Sequence, residues 1–354
     1  MQKKFKPIKI PILIGLFVLM IAAFTLVYGL TDRAAAPDED RGIFVPVPPD
    51  EPETTDDPDD PDDPEPADEP VEPVPADDPV DDPTDDPTDD PVIEGFITVQ
   101  MDASDISAGN LILVNHDYGY DIPADLDLVN ITNTKTGSYR VQDSNFRLLR
   151  SVIEPLDEMM ADFQDATRNT TVAIISAYRS YDNQQRILNG YISRLGRREA
   201  LLLAALPGHS EHHTGLSIDF GIIESGVRRV FQGTGNTAWF RRNSYKYGFI
   251  LRYPQGKVNI TNTSHEPWHF RYVGLLHAYI MFQKNFCLEE YIDFLAGYSY
   301  DEPFEFLFED EFFELYFVQG TEIPVPVDCV FDITGTNTDG FIVTLRKSED
   351  DYYH

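Results

Sequence analysis

Positive charge is scarce in this 354-residue chain. Its 27 lysines and arginines face 61 aspartates and glutamates, for a net charge of −34. A phosphate binder needs a basic face, so nucleic acid is excluded as a partner. The deficit is uneven. Residues 1–95 hold 6 basic and 26 acidic side chains, and no lysine or arginine occurs between Arg41 and Lys135. Cysteine is scarcer still. Cys287 and Cys329 are the only two, so at most one bridge forms; two small apolar residues in a core are the plainer reading. A strict strand–helix–strand repeat is also missing, which turns the fold class from a parallel α/β sheet towards α+β.

The first segment is rich in what the next one lacks. Lys3, Lys4, Lys6 and Lys9 precede an uncharged run from Ile10 to Leu30. As a helix at ~1.5 Å per residue this run is ~31 Å long, enough for a bilayer core. A cleaved signal peptide has a shorter apolar region, about 7–15 residues, and ends at small residues. Ala34, Ala35 and Ala36 offer such an end, but Arg33 intervenes and the run is long. An uncleaved anchor is the expectation, with its lysines in the cytoplasm and the bulk of the chain outside. Next comes sequence such as "DDPDDPDDPEPADEP". It buries too little to repay its ordering entropy, so it is expected to be a disordered, stretched spacer. A calcium-holding segment is the other reading, but calcium loops need carboxylates converging around a turn. The expected organisation is an anchor over 1–30, a spacer over 31–95, a folded domain over 96–298 and a small β-rich extension over 299–354.

Periodicity fills in the folded part. "LILVNHDYGY" reads as a strand and turn. Phe146, Leu149, Val152, Ile153, Leu156, Met160 and Phe163 recur at helical spacing, with Asp143 or Ser144 as a cap. "TVAIISAYRS" reads as a buried strand. A helix from about 181 to 206 stops at Pro207 and Gly208. A short helix over 236–247, a strand at "FILRY" and a long helix over 274–295 follow. Strands are expected between 303 and 347.

Two clusters carry chemistry. In "PGHSEHHTGLSIDFG" the pattern from Leu216 has period two. Leu216, Ile218 and Phe220 share one face, and Ser217 and Asp219 the other. His212 and His213 precede them in a loop made pliable by Gly215. In "HEPWHF", His265, Glu266 and His269 fall within five residues, and Pro267 forces an extended step. A catalytic zinc wants three protein ligands, one open position and a nearby base. His212, Asp219 and His269 would supply the ligands and Glu266 the base. Taken singly, each cluster reads as an ordinary polar loop, with Trp268, Phe270 and Tyr272 as core.

Together "SAYRSYDNQ", "PGHSEHHTGLSIDF" and "EPWHFRYV" resemble the signature segments of VanY-type zinc D,D-carboxypeptidases, over about residues 100–297. The resemblance implies an α+β fold, an antiparallel sheet flanked by helices of the VanY/Hedgehog-like zinc peptidase kind. It implies one zinc per chain on His212, Asp219 and His269, with Glu266 as base. Arg179 would steady the substrate carbonyl or carboxylate, with Ser210 and Gln184 near the substrate terminus. At His213 the family more often shows glutamine, so His209 and His213 are left as loop or supporting residues. The implied activity is hydrolysis of the terminal D-Ala-D-Ala amide of peptidoglycan stem peptides, outside a bacterial membrane. L,D-carboxypeptidase or endopeptidase action would use the same residues. A zinc-containing wall-binding module without turnover is the non-enzymatic rival, and Glu266 with Arg179 speak against it. Oligomeric state is not read from the sequence.

Overall fold

A computed structural model describes residues 95–201 and 203–347. The expected anchor and spacer lie outside the described residues. Among the described residues, no helix is long and apolar enough to cross a membrane.

The strands, in chain order, are β1 (Phe96–Gln100), β2 (Leu128–Asn130), β3 (Arg140–Val141), β4 (Arg147–Leu149), β5 (Val172–Ser176), β6 (Ser217–Glu224) and β7 (Val227–Arg229). Then come β8 (Phe249–Leu251), β9 (His269–Tyr272), β10 (Phe304–Phe308), β11 (Glu311–Gln319), β12 (Glu322–Pro326), β13 (Val330–Gly335) and β14 (Gly340–Lys347). The helices are α1 (Ile131–Thr134), α2 (Arg150–Thr167), α3 (Tyr181–Leu195), α4 (Arg197–Ala200), α5 (Ala238–Asn243), α6 (Val258–Thr261), α7 (Leu275–Lys284) and α8 (Leu288–Leu295).

The central sheet runs β3-β5-β6-β9-β8, with β7 added on β6. Its neighbours are antiparallel except β3 and β5, a two-residue parallel pair, so the sheet is mixed rather than wholly antiparallel as expected. The period-two reading of β6 holds. Ile218, Phe220 and Phe270 enter one core cluster with Val152, Leu156, Met160 and Phe163 of α2. The polar residues between them leave on the other face. Register sets Asp219 opposite both His269 and Ser176, and Ser217 opposite Arg271. Hydrophobic burial on one side of the sheet thus lines up Asp219, His269 and Arg271 on the other.

Three helix boundaries differ from expectation. The helix expected from residue 145 begins at Arg150, because Arg147–Leu149 pair with Leu128–Asn130 as a strand. The helix expected over 181–206 ends at Leu195, where Gly196 takes a φ of 84°. The long helix over 274–295 is two, broken at Asn285, whose left-handed φ of 53° asparagine tolerates. "LILVNHDYGY" joins no ladder. Its buried Leu111–Val114 run instead bonds the tail, with Leu113 N–H donating to Thr336 O at 2.8 Å.

The tail forms the sheet β10-β11-β14-β13. Alternation gives it two buried faces: Leu315 and Ile342 pack with α7 and α8, while Tyr316, Phe341 and Val343 pack with Ile323 and Val325 of β12. β1 pairs antiparallel with β12, so the first described strand sits in the extension. No disulfide joins Cys287 to Cys329. Cys287 is buried, and the Cys329 thiol donates to Pro326 O.

Candidate active site

His212, Asp219 and His269 each offer one ligand atom, and these atoms lie within 4.8 Å of one another. No other such group occurs among the described residues. Each side chain arrives from a different local constraint. Asp219 and His269 are cross-strand partners on β6 and β9. His212 sits in a single 3-10 turn, Glu211–Thr214, closed by Gly215 at a left-handed φ of 69°. A Cβ on Gly215 would lie 2.8 Å from a Leu128 methyl, so glycine is required there twice over.

The protons can be assigned from the partners. His212 Nδ1 lies 2.7 Å from Ala177 O, so Nδ1 carries the hydrogen and donates. Burial, with Arg179 nearby, pushes this imidazole down to about 4. Its bare Nε2 then faces Asp219 Oδ2 at 3.3 Å, one acceptor against another. The pair could hold a cation between them. Two donors bound tetrahedrally at ~2.0–2.1 Å from zinc stand ~3.4 Å apart, so the pair fits. His269 Nδ1 lies 2.9 Å from Asp219 Oδ1. Burial alone would lower His269, but its bonds to Asp219 and Glu211 hold it up to about 9. Asp219 itself is kept well below the usual carboxylate range by the two histidines, against the cost of burial.

Glu266 stands at the edge of this set. Its Oε2 is 3.9 Å from His269 Nδ1, and its side chain is 21% exposed. Burial pushes its carboxyl up to about 7, against the pull of His269. Arg179 reaches in from the end of β5. Its Nη2 donates to Asp219 Oδ2 at 3.2 Å and to Ser176 Oγ at 2.8 Å, and its Nη1 donates to Gln184 Oε1 at 3.1 Å. Gln184 is fully buried and its Nε2 donates to Ala205 O, so its contacts orient Arg179. Ser210 is buried one residue before the His212 turn, and its carbonyl accepts from His213 N. His213 is turned away from the ligand atoms. Its Nε2 accepts from Gly208 N at 3.0 Å and its Nδ1 donates to Arg179 O at 2.8 Å. His209 and His265 bond the main-chain carbonyls of Asn115 and Tyr253.

Glu211 is the residue that sequence reasoning passed over. Its carboxylate has no exposed surface. One oxygen accepts from Arg252 Nε at 2.7 Å and Arg271 Nη1 at 2.9 Å; the other lies 3.2 Å from His269 Nε2. Arg252 in turn forks onto Glu289 at 2.6 and 2.8 Å. The two arginines hold Glu211 well below the usual carboxylate range despite burial. Glu211 therefore holds one His269 hydrogen on Nε2, so Nδ1, which bonds Asp219 Oδ1, is the nitrogen that would turn to a metal. The only sequence signal was an acid one residue before a candidate ligand. Glu211→Gln is expected to cost about 3–5 kcal/mol, because it strands buried positive charge. It should also weaken zinc binding by about 10–100-fold. Denaturant titration and competition with a zinc chelator measure the two effects separately.

The chain matches known proteins over these same elements. A family model described as "VanY: D-alanyl-D-alanine carboxypeptidase" matches residues 145–275. A D-alanyl-D-alanine carboxypeptidase of Enterococcus faecium is 35% identical over 245 residues, covering 67% of this chain and 75% of that protein. One from Enterococcus faecalis (strain ATCC 700802 / V583) is 32% identical over 213 residues, covering 56% and 72%. A crystal structure of the vancomycin resistance D,D-dipeptidase VanXYg, in complex with a D-Ala-D-Ala phosphinate analogue, superposes with a TM-score of 0.63. It is 34% identical and covers 71% of this chain and 99% of its own. With its paired histidines, aspartate and neighbouring glutamate on that fold, the chain belongs to the VanY-type zinc D-alanyl-D-alanine carboxypeptidase family, as a metallo-carboxypeptidase whose cofactor is zinc.

Proposed function

We propose that this protein is a membrane-anchored D,D-carboxypeptidase that hydrolyses the terminal D-Ala-D-Ala amide of peptidoglycan stem peptides. The observation that carries the reading is the three-donor cluster with Glu266 beside it. His212, Asp219 and His269 hold the metal. Zinc, when bound, supplies Lewis acidity and lowers the pKa of water towards about 7. Glu266 takes the proton of the attacking water and returns it to the leaving amine as the C–N bond breaks. Arg179, held by Ser176, Gln184 and Asp219, meets the developing oxyanion or the free carboxylate that an exopeptidase must recognise. Ser210 borders the substrate terminus, and Gln184, fully buried, serves it through its hold on Arg179.

The likeness to a D,D-dipeptidase supports a second reading, in which free D-Ala-D-Ala is also cut. Mass spectrometry of digests separates the possibilities. The first reading expects a pentapeptide to lose one D-Ala and a tetrapeptide to stay intact. Loss from the tetrapeptide would mean L,D specificity, and internal cuts an endopeptidase.

The anchor belongs to the same proposal. The Lys-flanked run Ile10–Leu30 supports a single membrane span with the catalytic domain outside a bacterial cell. The mature protein is expected in the membrane fraction, and removal of residues 1–31 should release it with peptidase activity intact. A mature N-terminus near Pro37 would show cleavage and end the anchor reading.

A further inference from the structure

We propose that Asn337, in the turn between β13 and β14, is a positioning residue for the active-site rim. On this account the C-terminal extension is a working part of the catalytic unit rather than a separable wall-binding module. Asn337 adopts a left-handed φ of 58°. Its main-chain N–H donates to Ile106 O at 2.6 Å, and its Oδ1 accepts from Ser107 Oγ at 2.5 Å. Its Nδ2 donates to Leu113 O and Gly119 O, both at 2.8 Å. One amide group therefore pins both ends of the segment 113–119.

That segment and the residues flanking it, Asn110, Ile112 and Tyr120, reach the site by two routes. Along the first, Tyr120 N donates to Gly208 O at 2.7 Å, Gly208 N donates to His213 Nε2 at 3.0 Å, and His213 Nδ1 donates to Arg179 O at 2.8 Å. His209 adds a bond from its Nδ1 to Asn115 O. Along the second, Arg271 Nη2 donates to Asn110 O and Ile112 O, and its Nη1 donates to the Glu211 carboxylate that holds His269. Asn115 Nδ2 also donates to Glu289, the far end of the same buried ion network. The extension grips the segment without slack. Leu113 N donates to Thr336 O, Gly335 N donates to Ala108 O, and a Cβ on Gly335 would stand 2.3 Å from Ile106 O. Misplacement of a positioning group by about 1 Å costs catalysis about 10²-fold, so small slippage here is felt at Arg179.

Asn337→Asp tests this directly in the full chain. It keeps the shape, the tolerance of positive φ and the Ser107 bond, but it sets a carboxylate against two carbonyls. The expected result is a fall of about 10–100-fold in kcat/KM, carried mainly by KM, with about one zinc per chain retained. Amide exchange should quicken at Tyr120 and Gly208 while core amides such as Phe220 keep their protection. Ser107→Ala, which spares both Nδ2 bonds, should behave as wild type. Unchanged kcat/KM with unchanged exchange would overturn the proposal. So would a uniform rise in exchange with parallel zinc loss, which marks plain destabilisation. A measurement on the unmutated chain guards against a variant that fails to fold: in mild denaturant, the amides of Gly335, Tyr120 and Gly208 should open as one unit. Opening of Gly335 with Tyr120 and Gly208 still protected would overturn it as well. The exchange readout is independent of the substrate assigned above, so the two can fail separately.

Discussion

Glu266→Gln should keep its zinc and lose turnover by at least ~10²–10⁴-fold, the usual consequence of removing a positioned acid–base group. Glutamine keeps the size and hydrogen bonding of the side chain but takes no proton. The Glu266 carboxylate sits 3.9 Å from His269 Nδ1, beside the ligand atoms and outside the set of three. Peptide affinity should change little, because Arg179 is untouched. The pH profile gives a second check. A base must be ionised to work, so kcat/KM falls as pH drops through its pKa. Burial pushes Glu266 up to about 7, and a bound divalent cation pulls it back down. The acid limb of the wild-type profile should therefore lie at or below about 7. A glutamate facing only solvent predicts no change in rate, and a glutamate acting as fourth ligand predicts metal loss along with activity.

The second large effect is the loss of zinc itself. His212→Ala removes the one donor whose lone pair faces Asp219 across 3.3 Å, and should empty the site and abolish turnover. His213→Ala should keep about one zinc per chain. Both His213 nitrogens are committed to main-chain groups, Gly208 N–H and Arg179 C=O. Its loss should slow catalysis through Arg179 without touching the metal. Metal analysis of the two purified variants decides. Zinc lost from His213→Ala and kept by His212→Ala would reverse the assignment.

The pairing of Asp219 with His269 was half legible in the sequence. Alternation of Ser217, Ile218, Asp219 and Phe220 gave the face of the strand, because one side of a sheet must bury its apolar residues. The partner strand was not legible, since register is set by contacts some fifty residues apart in the chain. His213 was ambiguous for a plainer reason. Adjacent residues in a 3-10 turn point in different directions, and only the turn's position under Gly208 shows which histidine looks inward. Beyond the place of Glu211 next to a candidate ligand, nothing in the sequence marked Glu211 and Arg252. Charged residues with no exposed surface go against ordinary expectation, and their pairing joins the end of β8, β9, α8 and the His212 turn. The misplaced start of α2 has the same origin: Phe146 and Leu149 fit a helical stripe, but pairing of β4 with β2 claims Arg147–Leu149. The tail read as strands because its alternation is strong. Its grip on residues 106–119 runs through carbonyls and one asparagine, which leave no periodic trace.

The central claim is zinc-dependent removal of a terminal D-Ala by His212, Asp219, His269 and Glu266. The most direct test takes the whole chain, strips its metal with a chelator, and follows D-Ala release from a pentapeptide ending in D-Ala-D-Ala as zinc is added back. The account predicts no release by the stripped protein and full recovery at about one zinc per chain. Undiminished release without metal, or one bound zinc with no release, would contradict it.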